Sequence, residues 1–157
     1  MIPSAVQRVT SPIIAKNYAK KEYQAILKLL KKVISRIFLV SLGLSLFLVI
    51  FGKELILIIF KSVFLPAYQP LLILLIGYTI YSMFMSIGTF YASIGHVQLS
   101  YKLALLSAII SIILNIIFIP PLGILGAAIA TSISLVILTT VHFLIIRRFL
   151  RGLDVDV

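Results

Sequence analysis

Side chains that ordinarily perform chemistry are scarce in this chain, and their spacing assembles no reactive set. There is no cysteine, which excludes a disulfide framework, a thiolate nucleophile and any Cys-ligated metal site. Two histidines and four acidic residues among 157 are too few and too scattered for a di-metal or multi-histidine centre. Thr131, Ser132 and Ser134 offer hydroxyls, but no partner base lies within two helical turns to activate them, and no glycine-rich phosphate loop is present. No catalytic residue, metal or cofactor is expected. What remains are polar groups suited to touching a ligand rather than transforming it: Arg36, His96, Lys102 and Asn115. His96 and Lys102 flank a turn between two apolar stretches, where they can meet an anionic lipid headgroup or simply face water. Asn115 sits four residues before the end of an apolar run. An interhelical hydrogen bond or a helix-end cap is the readier use for it than substrate contact.

The elements that must position these groups are apolar throughout. The chain is 62% hydrophobic and 11% charged, with a mean hydropathy of +1.22, whereas a soluble domain carries about 25% charged residues. Forty residues between Lys61 and Lys102 carry no charge, and neither do the forty-four at 103–146. A chain of 17.4 kDa has too much surface for its size to hide so much apolar length in water. The fold class is therefore all-α integral membrane.

Crossing about 30 Å of hydrocarbon takes roughly twenty helical residues, and four such spans are expected, at about 33–51, 70–94, 97–119 and 123–146. Gly52 ends the first and Gly95 the second. Pro120 and Pro121 stop the third, since helices do not continue through proline. Arg147 and Arg148 close the fourth. The domain division is thus a basic amphipathic segment at 1–32, a four-helix transmembrane domain at 33–146 and a tail at 147–157. Residues 53–60, apolar but short, are expected to lie flat at the far surface, and 64–68 to form a loop beside them.

Charge sets the orientation. Of fourteen Lys and Arg, eight precede or enter the first span, one flanks the turn after the second, and three follow the fourth. Only Lys53 and Lys61 fall on the other side. Twelve against two is a positive-inside bias that places both termini in the cytoplasm of a plasma-membrane protein. The net charge of +10 thereby reads as topology, and no nucleic-acid partner is expected.

The N-terminus lacks the apolar core and cleavage site of a signal peptide. Pro3 and Pro12 are expected to break it into short pieces. From residue 18 to 32 the pattern becomes helical: Ala19, Tyr23, Ile26, Leu30 and Ile34 form one stripe with lysines around it. Such a segment either lies on the anionic leaflet or extends the first span. Tyr68, Tyr78, Tyr81 and Tyr91 read as interface and packing aromatics.

Small residues cluster at the start of the fourth span. Gly126 and Ala130, Gly123 and Ala127, and Ala127 and Thr131 are each four apart. That spacing lets a neighbouring backbone approach closely, which is how helices associate in lipid.

These residues also resemble a known family. Phe51-Gly52, Pro66-Ala67-Tyr68 with the leucines after it, Gly95, Asn115, and then Ile119-Pro120-Pro121-Leu122-Gly123-Ile124-Leu125-Gly126-Ala127-Ala128-Ile129-Ala130-Thr131 are similar to the C-terminal region of polysaccharide biosynthesis flippases. Those are the O-antigen and teichoic acid export proteins of the multidrug/oligosaccharidyl-lipid/polysaccharide transporter superfamily. The segment from Ser11-Pro12 to Ala19-Lys20-Lys21 looks like the loop before their ninth helix.

The resemblance implies the last four helices of a twelve-helix flippase, with a missing N-terminal bundle or a partner chain completing the cavity. It implies membrane lipids as surroundings, a lipid-linked oligosaccharide as substrate, and a basic rim of Lys28, Lys31, Lys32, Arg36 and Lys102 to meet its pyrophosphate. Two alternatives stay open: a fragment of a cation-coupled multidrug exporter, or a small stand-alone structural or accessory protein. The spans contain no Asp or Glu, which counts against the exporter.

Overall fold

The computed structural model describes residues 2–85, 88–93 and 97–155, and the elements among them are all helical. They are α1 (Ile2–Ala19), α2 (Tyr23–Phe60), a 3₁₀ turn (Ser62–Ala67), α3 (Tyr68–Met85), a short α4 (Gly88–Ser93), α5 (Val97–Leu122) and α6 (Ile124–Val155). Four stretches are long and apolar enough to cross a membrane: Tyr23–Phe60, Ser62–Phe84, Tyr101–Leu122 and Ile124–Arg148. The chain is a multi-pass all-α membrane protein.

The long helices stand in a row. α6 packs between α3 and α5, and α3 packs in turn against α2. Little of the apolar surface is spent inside this row: Ile116 is 69% exposed and Ile124 77%. Water would not tolerate that area, but hydrocarbon covers it at no cost, leaving helix association to close packing and hydrogen bonds. The core that does form lies at one end. There Ile14 of α1, Tyr23, Ile26 and Leu30 of α2, Phe90 and Tyr91 of α4, Leu103 of α5 and Ile146 of α6 are buried together.

Helix boundaries depart from the sequence expectations in instructive ways. The N-terminus is one helix, not short pieces. Pro3 falls in the first turn of α1, where its missing N–H has no helical partner to lose. Pro12 lies inside α1, and buried Thr10 and Ile14 on either side of it show that packing holds the helix through it. α1 then stops at Ala19. Lys21 adopts a left-handed φ of 59°, with Lys21 N–H donating to Tyr18 O at 3.0 Å and Glu22 N–H to Asn17 O at 2.9 Å. This is the double-bonded helix end in which glycine normally occupies the left-handed position. The helix expected to start at residue 18 therefore starts at Tyr23.

From Tyr23 the chain runs unbroken to Phe60, so the segment before the first span is its continuation. Tyr23, Ile26 and Leu30 turn inward onto the core. Gly52 does not end the helix, and residues 53–60 continue it rather than lying flat. A single glycine costs a helix only about 1 kcal/mol, and here the bare Gly52 is buried beneath the Tyr68 ring. The 38 residues of α2 measure about 57 Å at 1.5 Å per residue, nearly twice the hydrocarbon thickness.

The second span is described as α3, to Met85, and α4, from Gly88 to Ser93; residues 86 and 87 between them lie outside the described residues. Gly95 and His96 lie outside the described residues. α5 passes through Pro120 and Pro121 to Leu122, three residues beyond the expected end. α6 continues through Arg147 and Arg148 to Val155, so most of the expected tail is helical.

Candidate functional site

Polar side chains in the row are spent in two ways. Several bond to a carbonyl one turn back: Thr79 to Leu75 O at 2.6 Å, Thr139 to Leu135 O and Thr140 to Val136 O, both at 2.8 Å. These bonds satisfy the hydroxyl without any partner helix. Asn115 behaves the same way, its Nδ2 donating to Ser111 O at 2.8 Å and lying 3.4 Å from Ser111 Oγ. Both partners are in its own helix, in place of the interhelical bond or end cap anticipated for it.

Others tie helices together. Ser132 Oγ donates to Ile73 O across the α3–α6 contact at 2.8 Å. Ser45 and Thr79 share a hydroxyl–hydroxyl bond of 2.6 Å between α2 and α3, and Tyr68 OH donates to Val49 O at 2.6 Å. A hydroxyl committed to a neighbouring backbone is a tether and not a nucleophile.

The small residues line the same contacts. A β-carbon at Gly77 would lie 2.6 Å from Ser132 Cα, and one at Gly126 would overlap the Phe118 carbonyl. Ala128 and Ala130 are buried, while Ala127 and Thr131 are half-buried. Gly123 has open space around its α-carbon and a φ of +55°. Its place is the α5–α6 turn, where its N–H caps Ile119 O at 2.7 Å.

One buried group escaped the sequence reading. His142 is 1% exposed, with Nδ1 2.9 Å from Leu138 O and its ring 4.0 Å from that of Phe84, centroid to centroid. Tyr91 OH donates to His142 O at 3.5 Å. Nε2 has no hydrogen-bond partner among the described residues. The available signal was its type, a titratable residue inside forty-four uncharged positions.

Among the described residues, cations meet a concave apolar surface where α2, α3 and α6 converge. A groove of about 560 Å³ opens there, with Leu30, Ile34 and Phe38 of α2, Met83 of α3 and Phe143 and Ile146 of α6 on its walls, and Lys28, Lys31 and Arg147 on its rim. A second groove of about 410 Å³ follows α2 and α3 from Phe38 to Val49, over the Ser45–Thr79 bond. Of the cations singled out in the sequence, Lys28 and Lys31 line the first groove. Lys32, Arg36 and Lys102 are exposed and line neither. Arg147, assigned by sequence to the tail, takes their place. Such an arrangement can bind a molecule with an apolar body and an anionic end, and it holds no group that would react with one.

A family model described as Lipid II flippase MurJ matches residues 1–156 of the chain. No curated protein and no solved structure matches it significantly.

Proposed function

The chain belongs to the lipid II flippase MurJ family, a transporter family and not an enzyme family, and from that premise we propose that it takes part in moving a lipid-linked cell-wall precursor across the plasma membrane. The observation that carries this reading is the family match over residues 1–156. It shifts the substrate from the polysaccharide repeat unit expected from sequence toward the lipid-linked peptidoglycan precursor that the family is named for. Both substrates pair a polyprenyl tail with a pyrophosphate, so the same physical demands apply. The polar head must cross while the tail stays in lipid, and no covalent step is needed.

In this reading both ends of the chain face the cytoplasm, where the lysines and arginines meet anionic headgroups. The four helices supply part of the transporter, and a further bundle, in the same polypeptide or a partner, completes the path. Hydroxyl tethers and glycine contacts make the row a stiff unit able to move as a body.

Photo-crosslinking tests the reading. A precursor with a photoactivatable polyprenyl tail, added to membranes containing the protein, should label this chain. Unlabelled peptidoglycan precursor should compete more strongly than a polysaccharide precursor. Labelling no greater than that of an unrelated multi-pass protein contradicts the proposal.

A further inference from the structure

The rimmed groove between α2, α3 and α6 is matched to a lipid of one leaflet. From Lys31 on the rim to Phe38 at its deep end the groove covers seven steps of α2, about 10 Å at 1.5 Å per residue. It therefore stays within one leaflet of a hydrocarbon core of about 30 Å, as an acyl chain does. Phe38, at the deep end of the first groove, lines the second as well. At the shallow end stand Lys28, Lys31 and Arg147, and none of the described residues that line the groove is acidic.

The charges come from two helices separated by more than a hundred residues. Only the packing of α2, α3 and α6 puts them on one rim. Three cations with no acidic side chain among the described lining residues, beside an apolar slot confined to one leaflet, are complementary to a lipid with an anionic headgroup. We propose that this groove binds an anionic phospholipid of the surrounding bilayer, one acyl chain along Ile34 and Phe38 and the phosphate between Lys28, Lys31 and Arg147. A polyprenyl tail, built to traverse more than one leaflet, would need the second groove as well. The inference does not depend on transport, so it stands or falls separately from the flippase reading.

The chain contains no tryptophan, which makes a direct test available. Phe38→Trp places one fluorophore at the deep end of the groove, and Met83→Trp places one on the facing wall should the first variant fold poorly. Each protein is reconstituted in vesicles containing dibrominated phosphatidylglycerol or dibrominated phosphatidylcholine at equal mole fraction, and quenching is compared. Leu39→Trp, at an exposed position outside the groove, is the control.

Groove tryptophans should be quenched preferentially by the anionic lipid and the control by both lipids alike. Adding Lys28→Gln, Lys31→Gln and Arg147→Gln should cut the preference at least about five-fold, since each surface cation alone is worth roughly that factor for an anionic lipid. The same charge loss at Lys16, Lys20 and Lys21 should leave it intact. Equal quenching by both lipids overturns the proposal. So does a preference that the Lys16, Lys20 and Lys21 changes remove equally, which means general surface potential. Quenching of the control but not of either groove tryptophan also overturns it, because protein, a second copy or another helix, then fills the slot. Displacement by polyprenyl phosphate at lower mole fraction than phosphatidylglycerol does so too, and assigns the groove to the substrate.

Discussion

Gly77 of α3 and Ser132 of α6 meet so closely that a β-carbon on the glycine would stand 2.6 Å from the serine α-carbon. The contact is doubly specified. One turn before Gly77, Ile73 O accepts the Ser132 hydroxyl at 2.8 Å, so the approach that glycine permits is also the approach that the hydrogen bond requires. Gly77→Ala must push two backbones apart and should destabilise the protein by about 1–3 kcal/mol. Ser132→Ala keeps the steric fit and loses one interhelical bond, worth about 0.6 kcal/mol on average in a membrane bundle. Unfolding by dodecyl sulfate titration in mixed micelles checks the order; a costlier Ser132→Ala than Gly77→Ala contradicts it.

The α5–α6 turn separates two uses of glycine. Gly126 faces the Phe118 carbonyl with no room for a β-carbon, whereas Gly123 has room and a φ of +55°. Gly123→Ala should cost about 1 kcal/mol of backbone strain. Gly126→Ala should cost more, about 1–3 kcal/mol, because a backbone carbonyl held in a helix cannot swing aside. The same titration distinguishes them.

Much of this was legible beforehand, and the failures have physical causes. Four spans and the α5–α6 turn follow from hydropathy and spacing alone, whereas the small-residue pattern put Gly123 on a packing face and the structure gives it open space. The α1–α2 break was invisible because Lys21 occupies a left-handed helix end that usually announces itself as glycine. Gly52, Pro120 and Pro121 carried the opposite message: they signal stops, but neighbouring helices and a nearby end made them tolerable. The groove rim combined Lys28 and Lys31 with Arg147 across a long sequence separation, and only tertiary packing reports such a pair of sites. Lys102 and Arg36, plausible by their place near span ends, point elsewhere.

That helix end yields its own prediction. A side chain in the left-handed conformation costs about 1–2 kcal/mol relative to glycine. Lys21→Gly should therefore stabilise the α1–α2 corner by up to about 1 kcal/mol and slow backbone hydrogen exchange at Glu22. Faster exchange there contradicts the assignment.

His142 offers a test in the opposite direction. Its Nε2 is buried without a hydrogen bond, a situation that costs about 1–3 kcal/mol, while its ring contacts with Phe84 and Tyr91 are ones another aromatic can keep. His142→Phe should leave stability unchanged or raise it by up to about 1 kcal/mol. A loss greater than about 1 kcal/mol means that Nε2 is bonded in the working protein.

Participation in translocating a lipid-linked cell-wall precursor is open to a depletion experiment. In cells depleted of this chain, the peptidoglycan precursor should accumulate and become inaccessible to a membrane-impermeant amine reagent added from outside, recovering when the chain is restored. Outside labelling that is unchanged by depletion rules that role out. Trapping of a polysaccharide precursor alone keeps the flippase and returns its substrate to the one first expected from the sequence.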